Sequence, residues 1–280
     1  MLFHITNYIN LLLNLGVNMW VHNLNPTLLH VGSLEIRYYG LVYLLGFFLA
    51  IAWLQYWRKK GELELSKDDV WDFVFYLMLG VVIGSRLFMI FWEPSTYLSN
   101  PLEIFMFWHG GMSFHGGLAG IIVAAIIYCK VKKINFYHMA DLMSVPTMLA
   151  LALGRVANFV NGELVGRVTD LSCCVQFPGY SDCRHPSTLY AAGKRFIVFF
   201  GLVWLSFHKF RKNFQPGFIF WNMVFWEGLG RIIVDFYRED ILYWGFSLGQ
   251  WFSLVMVLVA LTFFYKNHRS DWKTLLIRKK

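Results

Sequence analysis

Seven long apolar runs dominate the chain, at about 39–57, 70–92, 114–129, 139–161, 188–208, 218–236 and 247–265. A helix needs about 20 predominantly apolar residues to cross a bilayer, and each run is close to that length. Stretches such as Tyr39–Trp57 and Trp251–Tyr265 are apolar on every face. Strands of a transmembrane barrel alternate in polarity over about ten residues, so only helices fit. Of the 280 residues 57% are apolar and 15% charged, against about 45–50% and 25% in soluble domains. The expected fold class is an all-α integral membrane protein with seven transmembrane helices.

The net charge of +8 would point to nucleic acid in a soluble chain, but here its distribution reports topology. Segments 58–69, 130–133, 209–217 and the tail after 265 hold sixteen Lys and Arg, whereas 1–38, 93–113, 162–187 and 237–246 hold four. Basic loops stay in the cytoplasm, so the N-terminus is expected outside and the tail inside, as an odd number of spans requires. No nucleic-acid partner is expected. The organisation expected is an extracytoplasmic segment 1–38, a seven-helix domain over 39–265 and a basic cytoplasmic tail over 266–280. The connection 162–187 is rich in Gly, Pro and Cys and is expected to form a small extracytoplasmic head. Met1–Asn18 has no basic residue, and its apolar run Leu11–Leu15 is too short for a secretory signal, so it is read as part of the mature protein. Cys129, Cys173, Cys174 and Cys183 lack metal-ligand spacing. A structural disulfide within one loop is expected, with the pairing of Cys173, Cys174 and Cys183 left open.

The remaining basic residues, Arg86, Arg155, Lys194, Arg195 and Arg231, lie inside or at the ends of apolar runs. A charge at mid-bilayer costs about 2.5–3.5 kcal/mol on insertion scales, so such a residue faces a cavity or a partner. Lys194 and Arg195 are read as snorkelling; the arginines need another account. Arg155, Asn158 and Asn161 recur at i, i+3 and i+6, a donor-rich stripe suited to phosphate or carboxylate oxygens. Interhelical hydrogen bonding by the asparagines beside a snorkelling arginine explains the stripe as well. Glu227, Arg231, Asp235 and Arg238 recur at i, i+4, i+8 and i+11 with alternating charge. As a purely structural ladder this would at best break even against apolar packing. The third run opens on glycines 110, 111, 116, 117 and 120 around His115. These allow close backbone approach and irregular geometry, which membrane depth tolerates only beside protein or a water-filled cavity. Tyr38-Tyr39-Gly40, Gly84-Ser85-Arg86 and Arg184-His185-Pro186-Ser187 are weaker signals at other span ends.

Taken together, these strings closely resemble the prolipoprotein diacylglyceryl transferase family. The resemblance runs over about 24–265 and rests on Arg37-Tyr38-Tyr39-Gly40-Leu41, Gly84-Ser85-Arg86, the block from Gly110 to Gly120, and the segment from Gly154 to Arg167. It continues through Arg184-His185-Pro186-Ser187-Thr188-Leu189-Tyr190, Gly230-Arg231-Ile232-Ile233-Val234-Asp235 and Ser247-Leu248-Gly249-Gln250. The strings around His115 and from Asn158 to Arg167 are the most specific. The sequence departs from the family's pattern at Ala191, where Glu is common, at Val165, where Trp is common, and in a short, cysteine-bearing loop after Arg167.

The resemblance implies a seven-span enzyme of the bacterial plasma membrane. It would transfer the diacylglyceryl group of phosphatidylglycerol to the lipobox cysteine of prolipoprotein signal peptides, forming a thioether and releasing glycerol phosphate. It places the catalytic residues at His115, Arg155 and Arg231. Sensitive positions of the family fall on Tyr39, Asn158, Glu163 and Gly166, and we add Arg86, Asn161, Arg167, His185, Asp235 and Arg238 as expected substrate-binding residues. No cofactor or metal is expected, and the chain is expected to be a monomer. The chemistry fits these residue types. A thiol with pKa near 8.5 must lose its proton, which suits a histidine, and the charge building on a departing phosphate suits fixed guanidinium groups. Glu163 and Asp235 would orient the arginines. The competing reading is a transporter or binding protein for an anionic lipid or metabolite, but the inverted repeats common in transporters are not evident.

Overall fold

The structure, a computed structural model, describes residues 20–31, 34–106, 110–209 and 211–276. Residues 1–19 of the N-terminal segment, His109 ahead of the glycine block and the last four residues of the basic tail lie outside the described residues. The α-helices are α1 (Tyr38–Lys59), α2 (Lys67–Trp92), α3 (Pro94–Ser99), α4 (Phe114–Val131), α5 (Phe136–Val160), α6 (Ser187–Phe207), α7 (Phe218–Asp235), α8 (Leu248–Lys266) and α9 (Arg269–Leu276). Six of them, α1, α2, α4, α5, α6 and α8, are long and apolar enough to cross a membrane. Helix α7 has 18 residues but carries Glu227, Arg231 and Asp235.

Helix α2 shows why hydropathy alone misplaces helix ends. It begins three residues before the apolar run because Ser66 accepts a hydrogen bond from Asp69 N while the Asp69 carboxylate accepts from Ser66 N. This reciprocal cap fixes a polar first turn that an apolar count leaves out. At the other end of α1, Arg58 and Lys59 extend the helix by favouring its exposed carbonyls.

The chain forms two compact units whose boundary falls inside α1, α5 and α7. One comprises Phe47–Pro146 and Gln215–Phe220. Its core is built from Leu54, Trp57, Val70, Phe73, Leu77, Tyr128 and Met139. Helices α2 and α4 cross there backbone to backbone: a Cβ on Gly84 would lie 2.4 Å from Gly116 O, and one on Gly120 2.0 Å from Gly80 O. Only glycine permits that approach. Buried Asp141 accepts from Gly217 N and Phe220 N, at 2.7 Å each, satisfying free amides at the start of α7.

The other unit holds the residues up to Gly46, Thr147–Phe214 and those from Trp221 onward. Helix α8 packs on α7 at Gly228, where a Cβ would meet Ser253 O at 3.0 Å, and through stacked Trp221 and Phe263 rings 3.9 Å apart. The hairpin of β2 (Thr27–Val31) and β3 (Leu34–Arg37) runs directly into α1. In the connection between α5 and α6, strand β4 (Val175–Gln176) pairs with β5 (Cys183–Arg184) and with β1 (Trp20–Val21) from the N-terminal segment. A Cys174–Cys183 disulfide closes this connection, which settles the open pairing; Cys173 is an exposed free thiol and Cys129 a buried one. Trp20 stacks on Phe159, and His22 Nε2 lies 2.7 Å from Phe159 O. A second hairpin, β6 (Leu242–Tyr243) with β7 (Phe246–Ser247), joins α7 to α8.

Candidate active site: a cavity lined by arginines

Four of the expected residues, Arg155, Arg231, Asp235 and Arg238, line one cavity together with Lys194, Arg195, Ser187, Thr188 and Ala191. Arg155 projects from α5 and makes one long hydrogen bond, from Nη1 to Asn158 Oδ1 at 3.4 Å. Asn158 is buried and donates to Glu163 Oε2 at 2.9 Å, and Asn161 donates to Glu163 Oε1 at 3.1 Å. The expected stripe therefore differs from a continuous helix face. Helix α5 stops at Val160, and the chain turns through Gly162 at φ +69° and Leu164 at φ +54°, the left-handed region that favours glycine. That turn brings Glu163 back to hold both asparagines.

On α7 the ladder divides in two. Asp235 is 3% exposed and lies between Arg231 Nε at 3.4 Å and Arg238 Nη1 at 3.9 Å. Helix α7 ends at Asp235, so Arg238 reaches it from the following turn rather than from a shared helix face. Arg238 also donates to Asp240 at 3.1 Å. Glu227 faces elsewhere: it pairs with Lys194 Nζ at 2.6 Å and with Arg195. Lys194 and Arg195 do not snorkel; their side chains are 14% and 5% exposed, because Glu227 inside the unit offers what the membrane surface would otherwise supply.

Ser247 and Gly249, which carry no expected role in the sequence, stand against the Arg231–Asp235 pair. Ser247 Oγ donates to Asp235 Oδ2 at 3.2 Å. A Cβ on Gly249 would lie 2.5 Å from Asp235 Oδ2 and 2.6 Å from Arg231 Nη2, so only glycine leaves the Arg231–Asp235 pair its place. The available signal was Ser247 followed by Gln250, a helix-capping pattern, which begins α8 beside the pair.

The remaining expected residues surround or lie apart from the cavity. Gly166 bridges to Arg238, and a Cβ there would meet His185 O at 2.4 Å and Tyr237 O at 2.7 Å. Exposed Arg167 donates from Nε to Arg238 O at 2.8 Å. Half-buried His185 lies against Tyr190 and Tyr237, with Nδ1 3.2 Å from Tyr190 Oη; burial pushes its pKa below the ordinary histidine value. Tyr39 Oη is 3.0 Å from Tyr43 Oη and does not line the cavity. Arg86 and His115 belong to the other unit. Buried Arg86 donates to Tyr97 Oη at 2.9 Å, Gly111 O at 3.3 Å and Met106 O at 2.8 Å. His115 occupies the first turn of α4, whose N-terminus is capped by Ser113 accepting from Gly116 N.

A mostly helical chain with six helices long and apolar enough to cross a membrane defines a class, the multi-pass membrane proteins. Comparison narrows the class. A family model described as prolipoprotein diacylglyceryl transferase matches residues 26–266. The chain is 41% identical over 247 residues to the phosphatidylglycerol–prolipoprotein diacylglyceryl transferase of Geobacter sulfurreducens, covering 86% of this chain and 94% of that one. Proteins of the same name from Bordetella avium and Nitrosomonas europaea are 41% and 37% identical, covering 88% and 91% of this chain and 95% and 94% of their own. The chain belongs to the prolipoprotein diacylglyceryl transferase family.

Proposed function

We propose that this protein transfers the diacylglyceryl group of phosphatidylglycerol to the lipobox cysteine thiol of prolipoproteins, the first step of lipoprotein maturation. The observation that carries this reading is the cavity lined by Arg155 and Arg231 in a chain of this family. Thioether formation requires attack at carbon rather than phosphorus. The thiol gives its proton to a base, the sulfur bonds to the glyceryl carbon, and the carbon–oxygen bond breaks with its electron pair passing to the phosphate. Glycerol phosphate leaves with one more negative charge than the phosphodiester held.

In this reading Arg155 and Arg231 hold the phosphate, because fork-shaped guanidinium groups match its oxygens and stabilise the growing charge. Asn158 and Glu163 orient Arg155, and Asp235 orients Arg231. His115 accepts the thiol proton, because an imidazole is the side chain best suited to take up and release a proton at neutral pH. Asn161, Gly166, Arg167, His185 and Arg238 shape the mouth of the phosphate site, and Tyr39 contacts lipid. Arg86 holds the loop ahead of His115 through Gly111 O and Met106 O. We further propose seven spans, α7 being the seventh. The N-terminal segment 1–38 and a small head over 162–187 lie outside the bacterial plasma membrane, 39–265 is the catalytic domain, and the tail 266–280 lies inside. The sixteen-to-four division of basic residues supports that orientation. The unit of function is a monomer.

The test is direct. Purified protein supplied with phosphatidylglycerol and a lipobox peptide should yield a diacylglyceryl thioether and glycerol phosphate, read by mass spectrometry. Phosphatidylglycerol moved or bound but never cleaved would overturn the reading in favour of a transporter.

A further inference from the structure

Arg195 is the lining cation two of whose guanidinium nitrogens are buried without protein acceptors. It is 4% exposed, yet Nε and Nη1 are buried with no hydrogen-bond partner among the described residues. Only Nη2 is engaged, by Glu227 Oε1. Glu227 does not need it, because Lys194 Nζ already donates to Glu227 Oε2 at 2.6 Å and to Glu227 O at 2.9 Å. Lys194 is itself seated over Gly230, where a Cβ would lie 2.7 Å from Lys194 Cδ. The lining cations Arg155, Lys194, Arg195, Arg231 and Arg238 face three paired carboxylates, Glu227, Asp235 and Asp240. Counted over these direct ion pairs, two positive charges are left over; Glu163 reaches Arg155 only through Asn158.

Burying unsatisfied guanidinium donors is costly unless something brings oxygen acceptors to them. We propose that Arg195 is a third anion-binding arginine, whose Nε–H and Nη1–H groups receive phosphate-ester oxygens while the Lys194–Glu227 pair fixes its orientation. This rests on the reading of the cavity as the phosphate site. Two surplus charges suit a group that passes from one negative charge as a phosphodiester to two as a phosphate monoester. Arg195 is therefore more useful to the transition state and product than to bound lipid, and its removal should act on kcat more than on KM. Lys194 and Glu227 are positioning residues.

The experiment uses the full chain in detergent with phosphatidylglycerol as substrate and glycerol phosphate as inhibitor. Arg195→Gln should lower kcat at least about tenfold with KM changed less than about threefold, and weaken glycerol phosphate inhibition about tenfold. Diacylglycerol, which lacks the phosphate, should compete equally with wild type and variant. Arg195→Lys keeps an ion pair to Glu227 but loses the fork, so it should stay well below wild type with an unchanged melting midpoint. If Arg195→Gln retains wild-type kcat and inhibition while Arg155→Ala and Arg231→Ala lose activity, the inference falls and the phosphate reading stands. If none of the three matters, the reading itself falls. Should Arg195→Gln fail to fold, Arg195→Lys decides, and wild-type kcat and inhibition in that variant would overturn the inference.

Discussion

Buried Arg86 on one side, and half-buried Arg155 and buried Arg195 on the other, have opposite surroundings. Arg86 spends its terminal nitrogens on Tyr97 Oη, Gly111 O and Met106 O, with its guanidinium over the Tyr97 ring at 5.6 Å. Its partners are neutral oxygens supplied by the fold. Arg155 and Arg195 have one hydrogen bond and one ion pair respectively, in a cavity where positive charges outnumber carboxylates. Burial alone does not separate structural from ligand-binding arginines; what separates them is whether the protein supplies the acceptors. The fold occupies both terminal nitrogens of Arg86 and only one of Arg195.

Substitution at each pole gives the largest expected effects. Arg155→Ala or Arg231→Ala should cut turnover about 10²–10³-fold, the usual cost of losing one preorganised donor to developing charge, while the thermal midpoint in detergent shifts little. Arg86→Ala should do the reverse. It strands two carbonyls and a hydroxyl, each worth about 1–3 kcal/mol when left unpaired, so the protein should lose folded yield before any specific loss of turnover. A fully folded, inactive Arg86→Ala protein would break the comparison.

A smaller effect should come from Gly249→Ala. The added methyl enters the space of Asp235 Oδ2 and Arg231 Nη2, at 2.5 and 2.6 Å, and pushes the pair aside without removing a charge. A displacement near 1 Å costs up to about 100-fold in rate, so a kcat loss of about 10- to 100-fold is expected, with binding of diacylglycerol unchanged. Wild-type kcat would mean that the position of Arg231 is not held from this side.

Much of this was legible beforehand, for reasons that differ by residue. The helices follow from apolar runs because a bilayer leaves backbone no other partner. Arg155, Arg231 and Asp235 were legible as violations of that rule. Lys194 and Arg195 violate it too, but a charge near a span end satisfies the snorkelling rule just as well. Only the position of Glu227, thirty-two residues from Arg195 along the chain, distinguishes the two. Gly249 was invisible as a functional residue because its contribution is an absence: no sequence pattern states whose side chain needs the space. Asn161 was placed on a helix face that does not extend to it, since the turn at Gly162 and Leu164 depends on Glu163 returning to the asparagines.

His185 falls between the two poles and carries the smallest prediction. Its ring is enclosed by Tyr190 and Tyr237, yet its one polar contact from that shell is the Tyr190 hydroxyl at 3.2 Å, so the neutral ring is accommodated better than the charged one. Burial accordingly lowers its pKa. A histidine released from this packing regains a pKa near 6.5, so on acidification the opened state takes up a proton before the closed one. The stability His185 contributes is complete above about pH 6.5 and declines as pH falls below it. The backbone pairing of Gly166 N with His185 O at 3.1 Å and of His185 N with Arg167 O at 3.0 Å should therefore exchange hydrogen faster at pH 5.5 than at pH 7.5, after correction for the intrinsic rate. His185→Asn should remove that difference while leaving Arg86 and the α2–α4 crossing untouched. Equal protection at both pH values in the wild type would show that the His185 ring does not couple this loop to pH.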